Sequence, residues 1–511
     1  MTRHAIKLPP TFFALLLALV LTLSFAAASG AAETSGIEAF HASRNDAPVW
    51  VGGKNDGALN ERGLAVLSAL AAADRDGLDP SDYAIDPSVT EPGALDRAVS
   101  ATLIRYVTDL QAGRVAPQKA DPDLFVYARE IDISGSLERL AAAEDPKAAL
   151  SNLAPANPVY RRLRRLLAEY RALEETGGWT NVPGGPALKP GMRDPRVEAV
   201  RTRLQATADI GESEGDRQLY DAALEIAVRA FQRRHGLEPD GVVGAKSVAA
   251  MNVPVGERIR QILINMERFR WMPDEFGDDH VFVNMAGFEL DYVRHGTIDL
   301  RMRVVVGRQY RETPVFSDRI RYIEVNPTWT VPPKIANQDL LPKILKDPGF
   351  LKTGGFEVFS SWQEDATLLD PAKIDWAKLP NGRVPYRLRQ APGKTNALGQ
   401  FKFMFPNRFD IYLHDTPARQ DFRRAVRAFS SGCIRLEQPQ TLAEVLLAAD
   451  GQPAERLAGA LASGKTTRIN FKTPVPVHLT YLTTWIGEGG TVEFRDDIYG
   501  RDKLLAAALG L

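Results

Sequence analysis

Apolar positions change their spacing once along this chain of 511 residues. Through residues 35–180 they recur at three- and four-residue intervals, in 65–70, 95–110 and 159–173, which predicts amphipathic helices. Gly77-Leu78-Asp79-Pro80 and Gly113-Arg114-Val115-Ala116-Pro117 punctuate them as turns. No set of chemically active residues gathers there, so this part reads as a structural or partner-binding helical domain. Gly177-Gly178 and Pro183-Gly184-Gly185-Pro186 then break the pattern, and a compact helical module follows over 192–252. Val197, Val200 and Leu204 share a face of one helix, and Leu224, Ala227, Val228 and Phe231 a face of the next. Asp240-Gly241-Val242-Val243-Gly244 supplies a tight turn.

From Val281 onward the runs become short, β-branched and aromatic: 280–285, 289–293, 301–306 and 320–325. Strand character resumes at 401–405 and 411–414, with Pro406-Asn407 between them as a hairpin-like connection. A twisted antiparallel sheet is expected. Residues 335–389 mix a short helix at 340–346 with glycine- and proline-rich loops, yet carry Phe350, Trp362 and Trp376. So much aromatic content argues for an ordered insertion able to cover a site. Residues 423–429 read as another short helix, ended by Ser430-Ser431-Gly432. The fold class is multidomain α+β.

The N-terminus adds a location. Arg3 and Lys7 precede an apolar stretch over 12–25, and Ala26-Ala27-Ala28 offers a small-residue cleavage site, so residues 1–28 read as an export signal. The competing reading is a retained anchor, but the stretch is short of the roughly 20 residues a bilayer needs. Thr22 and Ser24 also interrupt it. No later stretch is apolar for long enough to span a membrane. The net charge is −1, and losing Arg3 and Lys7 takes it to −3. That balance gives no footprint for nucleic acid and suits a periplasmic or extracellular enzyme.

Chemistry centres on Cys433, the one cysteine in the chain. A lone thiol is either a small buried hydrophobe or a nucleophile. Gly432 before it lets the backbone approach a substrate closely, and the amides of Gly432 and Cys433 would face an oxygen beside the sulfur. A nucleophilic thiol also needs an imidazole or cation to lower its pKa. Six histidines remain after the leader: His41, His235, His280, His295, His414 and His478. His414 ends a strand before the turn Asp415-Thr416-Pro417 and is the first candidate, with His478 the second; His41 falls in a linker-like stretch. Arg435 shares a strand face with Cys433 and could clamp a carboxylate, or merely form a surface ion pair. No metal-ligand spacing is present and no cofactor is implied.

Two sets of residues carry resemblances. Ala230-Phe231-Gln232-Arg233-Arg234-His235-Gly236-Leu237 with Asp240-Gly241-Val242-Val243-Gly244 resembles the three-helix peptidoglycan-binding module of cell-wall enzymes, in which His235 fits a helix-end role better than ligation. His414-Asp415-Thr416-Pro417 and Phe429-Ser430-Ser431-Gly432-Cys433-Ile434-Arg435 resemble the signature of L,D-transpeptidases with a YkuD-type catalytic domain. So do Asn326-Pro327-Thr328-Trp329-Thr330-Val331-Pro332 and the loop from Pro392 to Gly399, which holds Asn396. Gly113-Arg114-Val115 and Phe494-Arg495-Asp496-Asp497-Ile498-Tyr499-Gly500 are similar to the large Gram-negative branch of that family.

The resemblance implies a helical scaffold domain over 35–180, which the tail 456–511 could pack back against. It implies a mainly β catalytic domain over 278–455 with 335–389 as a substrate-capping insertion. Cys433 would attack a stem tetrapeptide at its third residue, a diamino acid, releasing D-alanine. The amine of a neighbouring stem would then resolve the thioester into a 3→3 cross-link. His414 would be base and acid, the Asp415 carbonyl its orienter, and Gly432 an oxyanion donor. Arg435, Ser431, Tyr412, Asn396 and Trp329 would meet substrate. Many members have histidine where Ser431 stands. Partners would be stem peptides, glycan and other wall-synthesis enzymes, in the periplasm, and carbapenems would acylate the thiol. An L,D-carboxypeptidase, a hydrolase freeing wall-attached protein, and a non-catalytic wall-binding scaffold remain open alternatives.

Overall fold

In the computed structural model, residues 33–52, 58–212, 215–273 and 275–511 are described. The leader expected at 1–28 lies outside them. Two compact units emerge. One takes in the described residues up to Ala116, Tyr127–Glu169 and Met266–Met272; the other takes in Pro117–Val126, Tyr170–Asn265 and Pro273–Leu511. Among the described residues no helix is long and apolar enough to cross a membrane.

The first unit is helical. Its central helix, Pro92–Ala112, starts with proline at its first turn and Glu91 accepting the Gly93 and Ala94 amides, and it ends at Gly113 with φ 88°. Val99, Leu103, Val107 and Leu110 recur on its inner face and pack with Trp50, Leu137, Leu140 and Leu150. Asp96 on the same helix accepts the Trp50 amide at 2.6 Å. His41, expected in a linker, is buried in this core instead, with Nε2 3.0 Å from Ser100 Oγ.

In the second unit, helices Arg196–Gln205, Ala222–Arg234 and Ala245–Met251 enclose Val197, Val200, Leu204, Leu224, Val228 and Phe231. Gly241, at φ 72°, turns the chain so that its amide donates to Gln232 Oε1 at 2.9 Å. His235 is buried at the helix end, its Nδ1 2.8 Å from the Phe231 carbonyl and its ring stacked on Phe231.

The sheet is built from β1 (Asp279–Asn284), β2 (Glu289–Arg294), β3 (Thr297–Gly307) and β4 (Phe316–Val325). After these come β5 (Trp329–Thr330), β6 (Phe356–Phe359), β7 (Leu368–Leu369), β8 (Arg387–Gln390) and β9 (Phe401–Met404). Further along lie β10 (Leu413–His414), β11 (Ala428–Ser430), β12 (Ile434–Leu436) and β13 (Thr467–Thr480), followed by a separate antiparallel pair, Thr484–Ile486 with Val492–Phe494. Nine of them pair in the order β11-β3-β12-β10-β9-β4-β13-β1-β2, and β2 pairs again with β3, so the ladder closes into a ring. Most pairs are antiparallel, as expected, but β1 with β13, β10 with β12 and β11 with β3 are parallel.

Three expectations need correction. The sheet does not stop at residue 455, because β13 lies between β4 and β1. Pro474 and Pro476 disguise it: proline withdraws a ladder donor, and the β4 register shifts between Asn470 and Val475 to accommodate them. Residues 423–429 are not a helix. A 3-10 turn ends at Arg423 and the chain straightens into β11. Residues 117–126, read as part of the helical domain, belong to the second unit, where the Phe125 amide donates to Val315 O at 2.8 Å.

The insertion is ordered and has its own core. β5-β8-β6-β7 form a small sheet, and Leu341–Lys346 supplies the helix. Val331, Leu340, Ile344, Leu351, Val358 and Leu388 are buried among them.

Candidate active site

Parallel pairing of β10 with β12 sets His414 opposite Arg435 and Leu413 opposite Ile434. One step back, the Ile434 amide donates to Tyr412 O at 3.1 Å, placing Tyr412 beside Cys433. Side chains alternate along strands, so Tyr412, His414, Cys433 and Arg435 occupy one face. All four line a cavity of ≈ 1750 Å³, which Trp329 and Trp362 also border.

His414 is buried, and its Nδ1 lies 2.5 Å from the Asp415 carbonyl oxygen. A carbonyl only accepts, so Nδ1 carries the proton and Nε2 keeps its lone pair. Burial, then the Arg435 and Lys402 charges, push the imidazole pKa down to about 3. The Asp415 carboxylate holds the turn: it accepts from Gln400 N at 2.8 Å, Thr416 N at 2.7 Å and Arg419 Nη2 at 2.7 Å. Gly399, at φ 58°, leaves that carboxylate its space, since a Cβ there would sit 2.1 Å from Asp415 Oδ2.

Cys433 is half-buried, and its thiol lies 3.6 Å from the Asp410 carbonyl oxygen. Burial pushes it up to about 11, against the lowering effect of hydrogen bonds from Tyr412. The Tyr412 hydroxyl is itself held well above its ordinary pKa by burial and by the neighbouring sulfur, and so stays a donor. Thiol and imidazole therefore both rest uncharged.

The remaining sequence candidates divide. Arg435 Nη1 lies 3.2 Å from Asp421 Oδ2, so its charge is already partly matched at the cavity wall. Ser431 Oγ accepts from Arg311 Nη1 at 2.7 Å. The Gly432 amide, expected to face a substrate oxygen, donates to Ser430 Oγ at 3.1 Å, closing a serine turn. Among the described residues the Cys433 amide meets no such acceptor. Asn396, expected to meet substrate, lies outside the cavity wall: it is fully buried, with Nδ2 2.9 Å from both Pro327 O and Ala391 O, and Oδ1 accepting from Leu398 N at 2.8 Å. His478 is buried between Ser317 Oγ at 2.8 Å and Phe276 O at 2.9 Å, away from the cavity, which leaves no nitrogen to serve as base.

Sequence reading missed Arg308, Arg311 and Lys402, all in the cavity wall. Arg311 also donates to Gln338 Oε1 at 2.6 Å and pairs with Asp339, tying the turn beside the thiol to the insertion. Lys402 was signalled only by its place across from His414 in the β9–β10 hairpin. The arginines sit in a loop whose composition marks nothing.

A thiol and a carbonyl-oriented imidazole on adjacent strands, inside a cavity, are the parts of a cysteine-dependent enzyme. Residues 35–167 match the scaffold domain, 193–251 the "Putative peptidoglycan binding domain", and 278–477 the L,D-transpeptidase catalytic domain. This chain thus carries the scaffold, peptidoglycan-binding and catalytic architecture of the L,D-transpeptidase family. It is 40% identical over 249 residues to a protein of Haemophilus influenzae described as "Putative L,D-transpeptidase". That match covers 49% of each, so the chain spans about half the length of the curated relative it matches. Among solved structures, an L,D-transpeptidase from Stackebrandtia nassauensis is 13% identical over 61% of this chain and 98% of that one, with a TM-score of 0.23. Another from Xylanimonas cellulosilytica is 17% identical over 58% and 99%, with a TM-score of 0.18.

Proposed function

We propose that this chain is an L,D-transpeptidase that joins peptidoglycan stem peptides 3→3 in the periplasm, with Cys433 as nucleophile and His414 as base. One observation carries the reading: His414 Nδ1 is fixed by the Asp415 carbonyl while Nε2 shares a strand face with the thiol. Rotation of Cys433 about χ1 would release its proton from Asp410 O toward Nε2. The sulfur then attacks the carbonyl carbon of the third stem residue as Nε2 takes the proton. The resulting oxyanion faces the Cys433 amide and the Tyr412 hydroxyl. Collapse breaks the C–N bond, His414 returns the proton to the leaving D-alanine amine, and a thioester remains. The side-chain amine of a second stem attacks it, gives its proton to His414, and restores the thiol.

The insertion would exclude water from the thioester, with Trp329 against the donor and Arg435 and Ser431 beside its carboxylates. Incubation of the full chain with a disaccharide-tetrapeptide tests this by mass spectrometry. A thioester on Cys433 with loss of alanine, then 3→3 dimers, is expected. Trimmed tripeptides without dimers would make the enzyme a carboxypeptidase, and no adduct would overturn both.

A further inference from the structure

Gly432 poses a mechanical problem. It sits at φ 117°, where no side chain limits it, immediately before the nucleophile. Its carbonyl and the Cys433 amide belong to one planar trans peptide unit, so fixing the carbonyl also aims the N–H, which projects the opposite way. Thr313 Oγ1 donates to that carbonyl at 2.7 Å. The Thr313 side chain is fully buried, and the same oxygen accepts the Gly307 amide at 3.0 Å. Thr313 lies outside the cavity wall, whereas Cys433 lies in it, so the amide is aimed from behind.

Thr313 is in turn braced by a motif from the far end of the chain. The Tyr499 hydroxyl donates to Gly307 O at 2.6 Å, and its ring stacks on Tyr481 with centroids 5.5 Å apart. Arg501 lies over both rings and reaches Glu312 Oε2 at 3.1 Å. Gly307 permits this close packing: a Cβ there would lie 2.2 Å from Arg311 O.

We propose that Thr313 is a positioning residue which aims the Cys433 amide at the substrate oxyanion, and that Tyr499 holds Thr313 in place. Hydrogen bonding to the carbonyl also polarises the N–H on the other side of the same peptide. This rests on the acyl-transfer reading above.

The test separates oxyanion formation from thiol access. Acylation of the full chain by disaccharide-tetrapeptide is compared with alkylation by iodoacetamide, which makes no oxyanion. Thr313→Val is expected to lower kcat for acylation by about 10- to 100-fold with KM and alkylation rate unchanged. Thr313→Ser restores it, and Tyr499→Phe, a milder variant, falls between. Wild-type kcat in folded Thr313→Val and Tyr499→Phe would overturn the inference alone. Equal losses of acylation and alkylation would also overturn it, by showing a structural role only. A wild-type chain that alkylates but takes no acyl group would end both the inference and the reading beneath it.

Discussion

The proton on His414 Nδ1 is fixed by the carbonyl of Asp415, its own chain neighbour, at 2.5 Å. Tautomer and ring orientation thus come from the backbone, while burial, then the Arg435 charge, keep the imidazole neutral. The sign of its effect on stability follows. With a folded pKa near 3 against the ordinary 6.5, the unfolded chain binds the proton more readily. The stabilising effect of the neutral ring is complete above pH 6.5 and is lost as pH falls through the window toward 3. His414→Gln should therefore make urea-unfolding free energy less steep with pH in that window, by about one proton's worth of slope. The same variant should slow acylation by about 10²- to 10⁴-fold.

Cys433→Ala should abolish acyl-enzyme formation while the thermal transition stays within a few degrees of wild type, since one small side chain replaces another. Intact mass after exposure to a disaccharide-tetrapeptide or a carbapenem reads the first effect, and calorimetry the second. Any adduct on the variant would move the nucleophile elsewhere.

Asn396→Ala should act on stability and leave KM alone. Removing its amide strands buried carbonyls of Pro327 and Ala391, at a cost of about 1–3 kcal/mol. Denaturant titration should show a lowered midpoint with saturation kinetics intact. A raised KM with unchanged stability would return Asn396 to the substrate.

Arg311→Met should loosen the insertion. The guanidinium connects Ser431 at 2.7 Å to Gln338 at 2.6 Å and to Asp339. Hydrogen exchange should quicken over 336–346, and KM for the donor should rise as that side of the cavity loses its tie. Unchanged exchange there would deny the coupling.

How much could be read beforehand depended on distance along the chain. Cys433 and His414 were legible because each stands in a short motif whose neighbours build its surroundings. Thr313 and Arg311 were not, since their partners Gly432 and Ser431 lie 119 and 120 residues away and nothing local marks either. Asn396 misled because asparagine in a glycine-rich loop suits binding and buried carbonyl-capping equally well. β13 was hidden by prolines that a regular central strand excludes but a register shift tolerates.

The lateness of β13 has a consequence for biogenesis. A ribosome delivers Cys433 well before the strand that sits between β4 and β1. Until Thr467–Thr480 arrives, both neighbours present bare hydrogen-bonding edges, the kind that recruit other chains. A polypeptide that still lacks that strand is therefore a candidate for chaperone capture.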